Sequence, residues 1–268
     1  MKSERVDQLL NGTVVLCEDF GSHHRRLRIA LDPGTSLSFR PGQWTDLGVA
    51  REPEELARID DASDPLWYGL ARRPYSIASA PEDSEIELWI KRVDHGELTP
   101  RLWRGRTGDR LYVCPSPRGS FTLSTDRGAR DLLLIATGTG VAPFLSMLRH
   151  GEQPWRRCGL LLGAQSLLVH AHHEELLRRS TADPRLDYVP VLSREPRDSR
   201  WSGLRGRVTD VIGELEKHAD LEVTPEGCDV YLCGSEPMIL TCEEQLALRG
   251  FPAHWEQPDG AVRAEVFW

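Results

Sequence analysis

Four short stretches of this chain bring together residue types that could do chemistry. The first is Leu132-Leu-Leu-Ile-Ala-Thr-Gly-Thr-Gly-Val-Ala-Pro143, an apolar run ending in Gly138-Thr139-Gly140 with Pro143 just beyond. Glycine tolerates positive φ and lets a backbone approach a ligand closely. A helix opening at this point directs unpaired N–H groups at an anion, and a first-turn proline loses nothing there. A pyrophosphate fits Thr137 to Gly140, and so does a plain strand–helix turn with no ligand. The second stretch, Leu232-Cys-Gly-Ser-Glu-Pro-Met238, repeats the pattern at another predicted strand end, with Cys233, Gly234 and Met238 at its mouth. A buried structural cysteine is the ordinary alternative for Cys233.

The third stretch, Arg73-Pro74-Tyr75-Ser76, sets a cation, an aromatic face and a hydroxyl on one extended segment. Alternation sends Arg73 and Tyr75 to one side and Pro74 and Ser76 to the other. Such a strand suits a planar, phosphate-bearing ligand; an ordinary barrel strand reads the same way. The fourth, Lys91-Arg92 through Gly96-Glu97-Leu98-Thr99, leads into a short helix predicted from Leu98 to Trp103. Ile90, Lys91 and Arg92 close the strand before it. Arg194 and Arg207 follow a third predicted strand, where an arginine can grip the 2′-phosphate that separates NADP from NAD. A solvated surface charge is the plainer reading of either. The chain finishes on Glu265-Val-Phe267-Trp268.

The elements that must position these groups divide the chain in two. Residues 13–123 alternate short apolar segments, such as Leu27–Leu31, Glu85–Arg92 and Arg110–Val113, with Gly, Pro and Asp turns. That spacing predicts an antiparallel barrel. Beyond residue 130, strands predicted at Leu132–Ala136, Gly159–Gly163, Asp187–Leu192 and Asp229–Cys233 alternate with helices at Ala142–Arg149, His172–Arg179 and Pro237–Arg249. That rhythm predicts a doubly wound parallel sheet. The expected domains are 1–126 and 127–268. The acidic stretch Arg51–Pro65 is expected as an exposed loop or short helix.

Composition narrows the class. The 268 residues carry a formal charge of −8, which argues against a nucleic-acid binder. No run of about 18 apolar residues is available for a membrane span, and the start lacks the apolar core of a signal peptide, so the cytosol is the default. The six cysteines, at 17, 114, 158, 228, 233 and 242, form no C-x-x-C pair and no iron–sulfur spacing. Reduced thiols and no resident metal are expected, as is a monomer.

Taken in order, Arg73-Pro-Tyr-Ser76, Gly96-Glu-Leu-Thr99, Gly138-Thr-Gly-Val-Ala-Pro143 and Cys233-Gly-Ser-Glu-Pro-Met238 resemble the ferredoxin–NADP reductase family over nearly the whole chain. The Glu265-Val-Phe-Trp268 ending is similar to its bacterial branch. The resemblance implies an FAD-binding β-barrel followed by an NADP-binding α/β domain, with FAD and NADP(H) as cofactors and ferredoxin or flavodoxin as partner. It implies that Arg73 contacts the FAD pyrophosphate, Tyr75 stacks on the isoalloxazine and Ser76 hydrogen-bonds near N5. Gly96 to Thr99 would seat the FAD phosphates, with Ile90, Lys91 and Arg92 close by. Gly138, Thr139 and Gly140 would receive the NADPH pyrophosphate, and Arg194 and Arg207 its 2′-phosphate. Cys233 and Glu265 would lie by the nicotinamide as catalytic residues with Tyr75 and Ser76. Phe267 would cover the flavin ring and Trp268 would stack on the adenine.

Two departures stand out: Gln165 where bacterial relatives carry a third phosphate-gripping arginine, and the long Arg51–Pro65 stretch. Arg72, Arg92, Arg101, Arg104 and Arg106 are expected as a basic docking face for an acidic carrier, or as charges dispersed around the barrel. The rival readings are an NADH-using reductase component of an oxygenase system and a flavin-binding sensor without turnover.

Overall fold

The computed structural model describes residues 2–57, 66–124, 130–151, 155–257 and 260–267. Two compact units emerge, one formed by Met1–Thr122 with Leu145–His150, the other by Leu123–Phe144 with Gly151–Trp268. The sequence-predicted boundary at 126/127 falls among residues outside the described ones. Leu145–His150, expected with the second domain, belongs instead to the first unit. Within that unit the Ser146 hydroxyl donates to the Ser79 carbonyl (2.7 Å), and Arg149 pairs with the buried Glu87 at 3.0 Å.

In the first unit, helix α1 (Lys2–Asp7) precedes β1 (Gly12–Phe20), β2 (His24–Leu31) and β3 (Trp44–Ala50). The short helix α2 (Pro53–Leu56) follows, then β4 (Leu70–Ser76), β5 (Glu85–Lys91), α3 (Thr99–Arg104) and β6 (Arg110–Val113). The six strands pair antiparallel in the order β4-β3-β6-β1-β2-β5. An antiparallel bridge between Ile77, just past β4, and Leu88 of β5 joins the two edges and closes the barrel. Alternate residues point inward, so Leu27, Ile29, Leu47, Ala71, Ile77, Leu88, Ile90 and Val113 make a dry core. The acidic stretch does contain a short helix, α2, whose Leu56 joins Val6 and Leu70 in a small satellite core. Residues 58–65 of that stretch lie outside the described residues.

The second sheet contains β7 (Asp131–Thr137), β8 (Cys158–Ala164), β9 (Leu186–Leu192), β10 (Leu204–Arg205), β11 (Cys228–Gly234) and β12 (Val262–Val266). Helices α4 (Ala142–Arg149), α5 (His173–Ala182), α6 (Val208–Val211) and α7 (Glu236–Ala247) connect them. All pairings are parallel, in the order β10-β9-β8-β7-β11-β12. The order reverses between β7 and β11, the switch point at which doubly wound sheets open a ligand crevice. The four predicted strands match to within a residue or two at each end. β10 and β12 were not anticipated: β10 is two residues long, and β12 (Val-Arg-Ala-Glu-Val) reads as a charged tail until it pairs with β11.

Among the described residues no helix is long and apolar enough to cross a membrane. All six cysteines are free, five of them buried.

Candidate functional site

At the switch point the backbone itself builds the seat. β7 ends at Thr137, and Gly138 takes φ +55° with nothing within 4 Å of where a Cβ would stand. Its Cα face is therefore open to a ligand. Gly140 is the opposite case: a Cβ there would lie 2.3 Å from the Cys233 carbonyl oxygen, inside contact distance. The first glycine shapes the turn and the second lets β7 and β11 ends touch. Thr137 and Thr139 are half-buried beside them, and Pro143 is buried in the first turn of α4. At the end of β11, a Cβ on Gly234 would meet the Met238 methyl and the Thr137 hydroxyl, each at 2.5 Å. The structure thus brings Thr137, Gly138, Thr139, Gly140, Cys233, Gly234 and Met238 together.

Cys233 is fully buried, and burial, reinforced by Glu265, pushes its thiol well above the ordinary range. That holds the thiol in its neutral form at physiological pH. Glu265 stands directly across from it in the β11–β12 register. The ladder runs one residue further, through the Phe267 N–H to the Gly234 carbonyl (2.7 Å). Trp268 lies outside the described residues.

Toward the far edge of this sheet, Arg194 and Arg207 are both exposed, with no carboxylate partner among the described residues. The Arg194 N–H donates to the Gln165 carbonyl (2.7 Å), which fixes the ends of β8 and β9 side by side. Arg205, not singled out from sequence, donates to the carbonyls of Glu195 (2.7 Å) and Trp201 (3.1 Å) and shapes the loop between the other two arginines. A polar cluster also escaped the sequence: the Tyr188 hydroxyl lies 2.8 Å from His170 Nε2 and 3.1 Å from His173 Nδ1. Burial, with His173 alongside, lowers His170 to about 3.

The first unit's candidates are built from side chains. On β4 Arg73 and Pro74 are exposed, Tyr75 is half-buried and Ser76 buried. Burial pushes the Tyr75 hydroxyl up to about 12, so it stays neutral. Ile90 is buried in the barrel core, leaving only its backbone to face outward, whereas Lys91 is exposed. The Thr99 hydroxyl donates to the Val93 carbonyl and accepts from the Val93 N–H, both at 2.9 Å. It ties off the turn that carries Gly96. Leu98 is buried beneath it. Glu97 faces two guanidiniums, Arg51 through Oε1 and Arg73 through Oε2 at 3.3 Å.

That arrangement tests the fit of a phosphate-bearing cofactor. The Glu97 carboxylate stands where an anion sits between two arginines, and the strand that bears the half-buried Tyr75 lies alongside. The donor set suits a diphosphate with an attached planar ring.

Four of the five arginines expected as a basic face or as dispersed charges are ion-paired. Arg101 Nη2 donates to both carboxylate oxygens of Glu55 (2.5 Å), while Arg104 pairs with Glu52 (3.2 Å), Arg92 with Asp94 (2.8 Å) and Arg72 with Asp46 (3.9 Å). Of the five, Arg106 alone lacks a carboxylate partner among the described residues. The acidic residues of and around α2, remote in sequence, supply the compensation for α3. A cavity of about 230 Å³, lined by apolar residues such as Leu27 and Leu111 and by the charged Arg101, Arg106, Asp109 and Arg110, shares no residue with the β4 motif.

Comparison with known proteins adds to this geometry. Residues 134–244 match the oxidoreductase NAD-binding domain family. The chain is 32% identical over 230 residues to ferredoxin–NADP reductase A of Sorangium cellulosum, covering 81% of this chain and 75% of that protein. It is 29% identical over 219 residues to the flavodoxin/ferredoxin–NADP reductase of Escherichia coli strain K12, covering 76% and 77%. In fold it is similar to a Neisseria gonorrhoeae ferredoxin NADP+ reductase crystallised with bound FAD and NADP. The TM-score there is 0.79 at 22% identity, over 96% of this chain and 98% of that one.

Proposed function

Since this chain belongs to the ferredoxin–NADP reductase family, we propose that it exchanges a hydride between NADPH and bound FAD and single electrons with ferredoxin or flavodoxin. The observation that carries the reading is the switch-point turn, where Gly138 is open to a ligand and Gly140 fits only because it lacks a side chain. FAD, when bound, supplies the conversion between two-electron and one-electron chemistry, which no side chain offers.

The protein's part is position and electrostatics. Arg73 is assigned to the FAD diphosphate, Tyr75 to its ring and Ser76 to a hydrogen bond at the ring's edge. Gly96, Glu97, Leu98 and Thr99 shape the neighbouring turn, which the Thr99 hydroxyl holds closed. Phe267 and Trp268 are assigned to the flavin ring and the adenine on the strength of their aromatic faces. Thr137, Gly138, Thr139, Gly140 and Pro143 are assigned to the NADPH pyrophosphate, and Arg194 and Arg207 to its 2′-phosphate. Their uncompensated charge supports that choice. Cys233 is assigned a neutral role beside the nicotinamide, excluding water without titrating, with Glu265 next to it.

A second reading, the reductase component of an oxygenase system using NADH, draws on two observations. Gln165 cannot grip a phosphate as an arginine does, and four of the five arginines expected to meet an acidic carrier are already paired. Stopped-flow reduction by NADPH and by NADH in parallel, followed by ferredoxin and then flavodoxin, separates the two. Faster bleaching by NADPH with onward transfer to either carrier is expected. Preference for NADH with no transfer to either sinks the first reading, and a yellow protein that neither nucleotide bleaches sinks both.

A further inference from the structure

Glu97 is shared by two arginines from different strand ends in the first unit's candidate site. Arg51 lies one residue beyond the last β3–β4 pair, Ala50 with Leu70. Its N–H continues the ladder to the Gly69 carbonyl (2.9 Å), and its Nε donates to the Tyr68 carbonyl (2.8 Å), so the guanidinium is aimed before any ligand arrives. Its Nη1 reaches Glu97 Oε1, while Arg73 Nη1 reaches Oε2 of the same carboxylate at 3.3 Å. Neither arginine has another carboxylate partner among the described residues. Two guanidiniums on one half-buried carboxylate leave a net positive charge. A diphosphate, with two charges and several acceptor oxygens, satisfies both.

The residues that follow Arg51 fit the same purpose. Glu52 and Glu55 occupy Arg104 and Arg101 of α3, leaving Arg51 and Arg73 as the pair that Glu97 compensates only in part. We propose that Arg51 is a second residue for the FAD diphosphate, delivered by the acidic stretch after β3, and that Glu97 holds the place between Arg51 and Arg73 until the phosphates displace it. This rests on the flavoprotein reading above and assigns a role to Arg51, the first residue of the acidic stretch.

The experiment is titration of the flavin-stripped full chain with FAD and, separately, with riboflavin, followed by flavin fluorescence at low and high salt. Arg51→Gln is expected to weaken FAD about tenfold or more at low salt, to flatten the salt dependence, and to leave riboflavin binding unchanged. Arg51→Lys should recover part of the loss, because the charge returns without the fork. Glu97→Gln is expected to tighten FAD severalfold with no effect on riboflavin, and it decides the matter if the Arg51 variants do not fold. Unchanged FAD affinity in Arg51→Gln, an equal loss for riboflavin, or weaker FAD binding in Glu97→Gln overturns the proposal. A wild-type chain that binds neither flavin fails differently: it removes the flavoprotein reading itself, and the proposal with it.

Discussion

The two candidate seats are made from different materials. At the β7–β11 switch point the contacts are backbone to backbone, and the informative residues are those with no side chain. Beside β4 the contacts are guanidinium to carboxylate, and the partners come from β3, β4 and the turn before α3. A backbone seat has no charge to rearrange and is intolerant of added atoms. A side-chain seat tolerates substitution better but responds to salt and to whatever anion is present. The expected effects of perturbing each follow from that difference.

The largest effect belongs to Gly140. Its Ala variant must separate the new methyl from the Cys233 carbonyl, now 2.3 Å away, by moving backbone. A loss of about 3 kcal/mol in the stability of the second unit is expected from overpacking of this kind. Gly138→Ala meets nothing and should cost only about 1 kcal/mol for the left-handed conformation. Chemical denaturation of both variants tests the contrast, and equal losses would break it.

Acid comes next, and here each unit carries a buried histidine pushed far below its ordinary pKa. Burial, with Lys91 second, lowers His24 to about 4, and burial, with His173 second, lowers His170 to about 3. Both folded values lie below the unfolded value near 6.5, so the unfolded chain takes up protons first as pH falls. The stability each contributes is whole above about pH 6.5 and is lost between there and its folded value. From pH 7.5 to 5.5 each should remove about 1.3 kcal/mol from its own unit. Replacing His24 by Gln should flatten the profile of the first unit and leave the second unchanged; parallel profiles before and after would refute the assignment.

Phe267→Ala should be milder still, changing the NADPH-to-NADH ratio of kcat/KM by less than about tenfold, the scale of one aromatic contact. Steady-state kinetics with both nucleotides reads it, and an unchanged ratio removes Phe267 from the nicotinamide's reach. The smallest effect is expected for Glu55→Gln, which frees Arg101. It should raise the rate of electron transfer to an acidic carrier slightly at low salt and not at all at high salt, since the pair is half-buried and the steering of a carrier is screened by salt. A rise that persists in high salt would mean that α2 does something other than compensate charge.

How much of this was legible beforehand follows the same division. Gly138, Gly140 and Gly234 announce themselves because the demand on them is local: a strand ends, the chain turns, and only glycine fits. The strands β7, β8, β9 and β11 are apolar on both faces and read directly as buried parallel strands. β12 does not, because Arg263 and Glu265 interrupt it, and its strand character comes from pairing with β11. Glu55 and Arg101 are separated by 46 residues, and no local spacing connects them. Their pairing gives Arg101 an acidic partner that the sequence did not announce.

The sequence by itself determined a barrel followed by a parallel sheet, the order of the four motifs and the glycine turn, all of which rest on local periodicity and backbone conformation. Tertiary structure alone decided that Cys233 is a sealed neutral thiol and that Ile90 belongs to the core. It also decided that most of the predicted docking arginines are already paired, and that Arg51 shares Glu97 with Arg73. Burial and ion pairing depend on what long-range folding places beside a residue, and for these residues the neighbours lie far away along the chain.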